Sequence, residues 1–157
     1  MASYTLPFGR CAVSAIQYVI DVLGGTKVFK GAARSDATAL LDLVRAGLPY
    51  QALESIRARL NLSLPEAALV LHVPLRTLAR RRHGRKLDAG ESDRLYRLAR
   101  IAAQAVAALG AEDKAAAWLR RPNRSLNGAV PLGLLDTDLG ARQVEDVLGR
   151  MAHGVVS

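Results

Sequence analysis

The chain has one cysteine, one tryptophan and only 4% aromatic residues in 157. The single cysteine, Cys11, cannot form an intramolecular disulfide or a multi-cysteine zinc knuckle, and it points to a reducing compartment. So few aromatic residues argue against a protein built on strands. No apolar run approaches the roughly 18 residues of a membrane helix. The longest apolar-leaning stretch, residues 11–23, is broken by Ser14, Gln17 and Asp21. It lacks a strongly basic start and a clear small-residue cleavage site, so it does not read as a signal peptide. A cytoplasmic protein without a membrane partner is expected. The chain also lacks a P-loop and a glycine-rich dinucleotide fingerprint. His72, His83 and His153 have no ligand-type spacing with one another or with Cys11, so no metal is expected. Asp136 and Asp138 flank Thr137 and suit a helix start better than a catalytic pair. An enzyme is not expected, nor a cofactor.

What is present is helix-forming. Half of the residues are hydrophobic, Ala, Leu, Val and Arg dominate, and the length suits one domain or two small ones in close contact. The formal net charge is +8, which attracts polyanions and makes nucleic acid the first partner to test. The charge is uneven. Residues 70–100 hold nine basic residues against Asp88, Glu91 and Asp93, whereas residues 126–157 hold Arg142 and Arg150 against Asp136, Asp138, Glu145 and Asp146. A basic middle and a mildly acidic end imply two functional regions.

Apolar residues recur at helical spacing, as at Ala37, Leu40, Leu41 and Val44, at Leu53, Ile56 and Leu60, and at Leu64, Ala67, Ala68 and Leu71. A longer stripe runs through Leu95, Leu98, Ala99, Ala102, Val106 and Leu109. Helix stops fall at Gly24-Gly25, at Gly47 before Pro49, at Gly110 and at Pro122. These signals predict an all-α protein of seven or eight short helices. Helices are expected over residues 92–109 and 113–120, then a structured loop over PNRSLNGAVP, then a last amphipathic helix carrying Val144, Val147, Leu148 and Met151. Trp118 and the leucines around it read as core, and Thr137 as the N-cap of the last helix.

Ser63-Leu64-Pro65-Glu66 is a capping box with proline in the first turn, so a helix of about two turns begins at Leu64 and ends near His72. Val73-Pro74 breaks it and starts another helix, LRTLARRR. Helix, short turn, helix within about twenty residues is the plan of a DNA reader. His72 stands where such turns often carry glycine; a left-handed histidine is tolerated there at more cost than glycine, and a turn of variant geometry is the alternative. Leu75, Leu78 and the stem of Arg82 are assigned to the inward face, leaving Arg76, Thr77, Arg80 and Arg81 outward. Guanidinium groups bind phosphates by charge and guanine edges by paired hydrogen bonds. Arg85 and Lys86, in the loop with Gly84, are placed for phosphates. Arg94, Arg97 and Arg100 read as an ordinary charged helix face. One such unit reads few bases, so a homodimer on an inverted repeat is expected.

The pattern Trp118-Leu119, Pro122-Asn123, Leu126, Gly128, Pro131, Leu134-Leu135, Thr137, Gly140, Val144, Leu148, Gly154-Val155 resembles the toxin-binding domain of the Xre/MbcA/ParS family of bacterial antitoxins. Residues 47–104 are similar to the divergent Xre-type helix-turn-helix that precedes that domain. The resemblance implies an all-α helix-turn-helix bundle followed by a small helical C-terminal domain. It divides the chain into an N-terminal helical segment (1–46), a DNA-binding domain (47–110) and a toxin-binding domain (111–157). It also implies an antitoxin that neutralises a toxin encoded beside it, commonly a RES-domain enzyme that consumes NAD, and that represses the shared promoter. Toxin contact is expected at Gly149, Arg150, His153, Gly154, Val155, Val156 and Ser157, because the segment after the last helix is short yet apolar. The other reading of Val155 and Val156 is that they fold back onto Leu148 or Trp118. The rival function is a stand-alone helix-turn-helix regulator whose C-terminal domain only dimerises or binds an effector. A neighbouring reading frame for a RES-like enzyme discriminates between the two.

Overall fold

The computed structural model describes residues 15–29 and 37–154. Cys11 and the expected contact residues Val155, Val156 and Ser157 lie outside the described residues. The elements, in chain order, are α1 (Ala15–Val22), the one-turn α2 (Gly25–Val28), α3 (Ala37–Ala46), α4 (Tyr50–Leu60), α5 (Leu64–Leu71), α6 (Leu75–Arg80), α7 (Ala89–Leu109), α8 (Glu112–Leu119) and α9 (Asp138–Ala152). Two 3-10 turns, Arg124–Leu126 and Pro131–Leu134, lie between α8 and α9. The protein is all-α, with no strand among the described residues, and it has more helices than the seven or eight expected. None of the described helices is long and apolar enough to cross a membrane.

The spine is α7, which packs against α1, α3, α4, α5, α8 and α9. Its buried stripe is the expected one, with Leu95, Leu98, Ala99, Ala102 and Val106 inward and Leu109 half-buried. Asp88-Ala89-Gly90-Glu91, which the sequence marks as the cap of this helix, does cap it, so α7 begins at Ala89, three residues before Ser92. Asp88 is the N-cap, its carboxylate accepting from Glu91 N at 2.8 Å, while Glu91 Oε2 accepts from Asp88 N at 2.9 Å. Such a reciprocal box satisfies two orphan amides and makes Ala89 the first helical residue. At the other end Gly110, at φ 83°, closes the helix in a left-handed turn.

The α3–α4 corner is tied to the entry of α7. Leu87 N donates to Leu48 O at 2.9 Å, and Leu48 N donates to the buried Ser92 Oγ at 2.8 Å. At Gly47 a Cβ would stand 2.3 Å from Leu87 O and φ is 93°, so only glycine allows the approach. Three apolar assignments differ, the first being Ala37, which is exposed at the start of α3. Leu40 and Val44 point inward from α3, with Leu43 half-buried, while Leu41 is 46% exposed. The face that meets α7 is centred on the 40–44 ridge, and Leu41 lies about 100° from Leu40 around the helix, on the solvent side. Trp118 is half-buried at the rim of the core, whereas its neighbour Leu119 is fully buried.

Candidate DNA-reading and partner-binding surfaces

The helix-turn-helix is built by local rules. Ser63 Oγ accepts from Glu66 N at 3.3 Å, and Glu66 Oε2 accepts from Ser63 N at 2.7 Å, so α5 starts where its capping box sets it. Helix α5 ends at His72, which adopts φ 53° and ψ 46°. The left-handed histidine lets Val73 N return to Ala68 O at 3.0 Å and buries Val73. Pro74 is the N-cap of α6, one position outside the helix, and its carbonyl accepts from Thr77 N and Leu78 N at 2.9 and 3.1 Å. Arg94 Nη1 donates to Leu71 O at 3.2 Å, so the spine helix holds the last turn of α5.

Helix α6 is anchored by Leu78, which is fully buried. Arg76 and Arg80 are exposed, Thr77 is half-buried, and Arg85 and Lys86 are exposed in the following loop. Arg81 does not join them. Its guanidinium turns inward and donates to Glu91 Oε2 and, at 3.2 Å, to Lys86 O, with Asp88 Oδ2 3.9 Å away. The buried Glu91 carboxylate, already an acceptor in the α7 capping box, needs a cation beside it. Arg82 takes the outward place expected of Arg81, and Leu75, assigned inward, is 45% exposed. At 100° per residue Leu78 and Arg81 lie about 60° apart and form the inward arc, Leu75 stands at its edge about 60° from Leu78, and Ala79, Arg76 and Arg80 turn to solvent. Arg76, Arg80, Arg82, Arg85 and Lys86 have no ion-pair partner among the described residues, so this surface is an uncompensated cation cluster. Among those residues no three His, Cys, Asp or Glu side chains come together as a metal would require.

The C-terminal part is shaped by its turn residues. The Asn123 side chain accepts from Ser125 N at 2.8 Å, and the Asn123 backbone pairs with Ala129 O at 3.0 Å and Gly128 N at 2.9 Å, closing the PNRSLNGAVP segment around the buried Leu126. Thr137 caps α9, accepting from Gly140 N at 3.1 Å. At Gly140 a Cβ would sit 2.1 Å from Leu134 O, so the glycine is required by the close approach of the second 3-10 turn. Val144, Val147 and Leu148 face the core and Met151 packs against it. Of the residues expected to touch a partner, Arg150, His153 and Gly154 are exposed and Gly149 is half-buried at the end of α9.

The two parts are joined by arginines. Arg100 reaches Glu145 Oε1 on α9 at 2.6 Å and lies 5.9 Å from the centroid of the Tyr96 ring. Arg97 pairs with Asp93 at 3.3 Å and approaches Asp138 at 4.0 Å. Arg120, just past α8, donates to Glu66 Oε1 at 3.0 Å, to Leu60 O at 2.9 Å, to Ala116 O at 3.3 Å and to Asn61 O. The guanidinium of Arg120, with the Ser63 amide and hydroxyl, holds the Glu66 carboxyl down to about 2. The carbonyls it meets at Leu60 and Asn61 are those left over at the end of α4.

Comparison with known proteins decides the family. Residues 39–100 match the antitoxin Xre-like helix-turn-helix domain, and residues 102–154 match the antitoxin Xre/MbcA/ParS C-terminal toxin-binding domain. The chain belongs to the Xre antitoxin family. It is 33% identical over 129 residues to an Antitoxin Xre of Yersinia enterocolitica, covering 81% of this chain and 87% of that one. It matches an Antitoxin Xre of Photorhabdus laumondii to the same identity and coverage. An Antitoxin Xre of Pseudomonas putida is 42% identical over 83 residues, 52% of each chain. The two Xre matches meet in the middle of α7, so a single unbroken helix carries the end of one and the start of the other. The Arg81 clamp and the α6 cation cluster lie in the first, and Arg120, Thr137, Gly140 and the exposed end of α9 lie in the second.

Proposed function

We propose that the chain is an antitoxin that neutralises a RES-domain, NAD-consuming toxin encoded beside it and represses their shared promoter by binding DNA in the cytoplasm. In this reading residues 47–110 bind an inverted-repeat operator as a homodimer. Arg76 and Arg80 meet base edges, and Arg82, Arg85 and Lys86 meet phosphates. Two such units reach successive major grooves about 34 Å apart. Residues 111–157 bind the toxin, with Gly149, Arg150, His153, Gly154, Val155, Val156 and Ser157 in contact with it. The observation that carries the reading is the pairing, along α7, of an uncompensated basic helix with a domain matching a toxin-binding family. The basic helix would serve a polyanion, and the mildly acidic end a protein.

The test is co-expression with the neighbouring gene. The full chain is expected to restore growth and to co-purify with the neighbour's product. Deleting Val155, Val156 and Ser157 is expected to abolish protection while leaving the circular-dichroism melt and DNA binding nearly unchanged. Full protection by the stable truncated chain removes the contact assignment. A large fall in melting temperature favours the fold-back reading. Failure of the full chain to protect leaves the stand-alone regulator.

A further inference from the structure

The exposed face of α6 carries two strips, and only one of them is cationic. Arg76 and Arg80 form the basic strip, four residues apart. Beside it Leu75, at 45% exposure, and the exposed Ala79 form an apolar strip at the same spacing. A single exposed leucine is ordinary on a protein surface. This one stands about 60° around α6 from the buried Leu78, at the edge of the exposed side, beside Arg76 and Arg80, which have no ion-pair partner among the described residues. The major groove offers matching features in the same plane, acceptors at guanine N7 and O6 and the C5 methyl of thymine as its apolar one. We propose that Leu75, with Ala79 beside it, is a specificity-determining residue that selects thymine through its methyl group, next to the guanine read by Arg76.

The inference rests on the reading of α6 as the DNA-reading helix. It adds the class of base pair sought, which the arginines alone do not define. Adjacent Cα atoms are about 3.8 Å apart, and base pairs rise about 3.4 Å per step. Leu75 and Arg76 therefore act on the same or neighbouring steps. The selected half-site holds a thymine within about two base pairs of a guanine.

The experiment starts with the full chain and a randomised duplex pool, and the sequence it selects is the probe. Deoxyuridine is then put in place of each thymidine in turn, which removes the methyl and keeps every hydrogen-bonding group. At one position in each half-site this is expected to weaken binding about fourfold, the ~0.8 kcal/mol of one buried methyl at ~1.4 kcal/mol per tenfold. Leu75→Ala, checked for an unchanged melt, is expected to bind the thymine and uracil duplexes alike. A specific duplex whose affinity no uracil substitution alters overturns the role of Leu75 and leaves α6 as the reader. The same holds if Leu75→Ala retains the uracil effect, or changes only the mass of the free protein through self-association. No sequence emerging from the pool overturns both readings.

Discussion

Arginine does opposite work in two regions of this molecule. On α6 and in the loop after it, Arg76, Arg80, Arg82 and Arg85 stand in solvent without partners among the described residues. Along the seam between α7, α8 and α9, Arg97, Arg100 and Arg120 are each held by carboxylates, and Arg120 also by helix-end carbonyls. The seam guanidiniums are screened from water in part and stabilise one arrangement of helices. The α6 guanidiniums contribute to the fold only their mutual repulsion, which is tolerable for a surface that meets phosphate. Net charge alone does not distinguish the two groups. The number of acceptors within reach does.

The largest effect expected from disturbing this division is at Arg81, which lies beside the free cluster in sequence but belongs to the structural group. Arg81→Ala leaves the 5%-exposed Glu91 without its cation. A loss of about 3 kcal/mol is expected, or roughly 6–12 °C in a calorimetric melt. Arg82→Ala, one residue on and exposed, is expected to leave the melt unchanged.

Next in size is Arg120→Ala, expected to lower stability by about 2 kcal/mol in a denaturant titration, because one guanidinium satisfies the end of α4 and the α5 capping acid together. Arg120→Lys is expected to recover little, since an ammonium cannot reproduce the fork. A smaller effect appears with pH. Glu66 titrates near 2 in the folded chain against an ordinary 4.5, so its contribution is complete above about 4.5 and is lost as the pH falls toward 2. Melting temperature is expected to fall more steeply across that window in the parent chain than in Glu66→Gln or Arg120→Ala.

The sequence carried the parts of this picture that depend on neighbours along the chain. Both capping boxes, the left-handed His72, the Thr137 cap and the glycine stops are contained within a few residues, and each forms as local hydrogen bonding requires. The arginines were harder to read for the opposite reason. Arg81 and Arg82 are equivalent by composition, and what separates them is Glu91, ten residues beyond Arg81 and brought back by the Gly84 turn. Arg120 meets Glu66 across 54 residues, a pairing with no local signature. Leu75 and Arg81 exchange places with expectation because the inward arc of α6 is centred between Leu78 and Arg81, where Glu91 draws the guanidinium in, and not between Leu75 and Leu78.

The central claim, that DNA binding belongs to the place of the charges and not to their sum, is tested by removing two positive charges from each region. Duplex DNA from upstream of the reading frame is titrated in a gel-shift assay at moderate salt against Arg76→Ala/Arg80→Ala and against Arg142→Ala/Arg150→Ala. Both pairs are exposed, and both variants lower the net charge equally. The α6 pair is expected to lose about 1–3 kcal/mol for each base contact and with it the preference for that sequence over random duplex. The α9 pair is expected to bind nearly as the parent does. Equal losses in the two variants, or an unchanged shift with the α6 pair, would contradict the account.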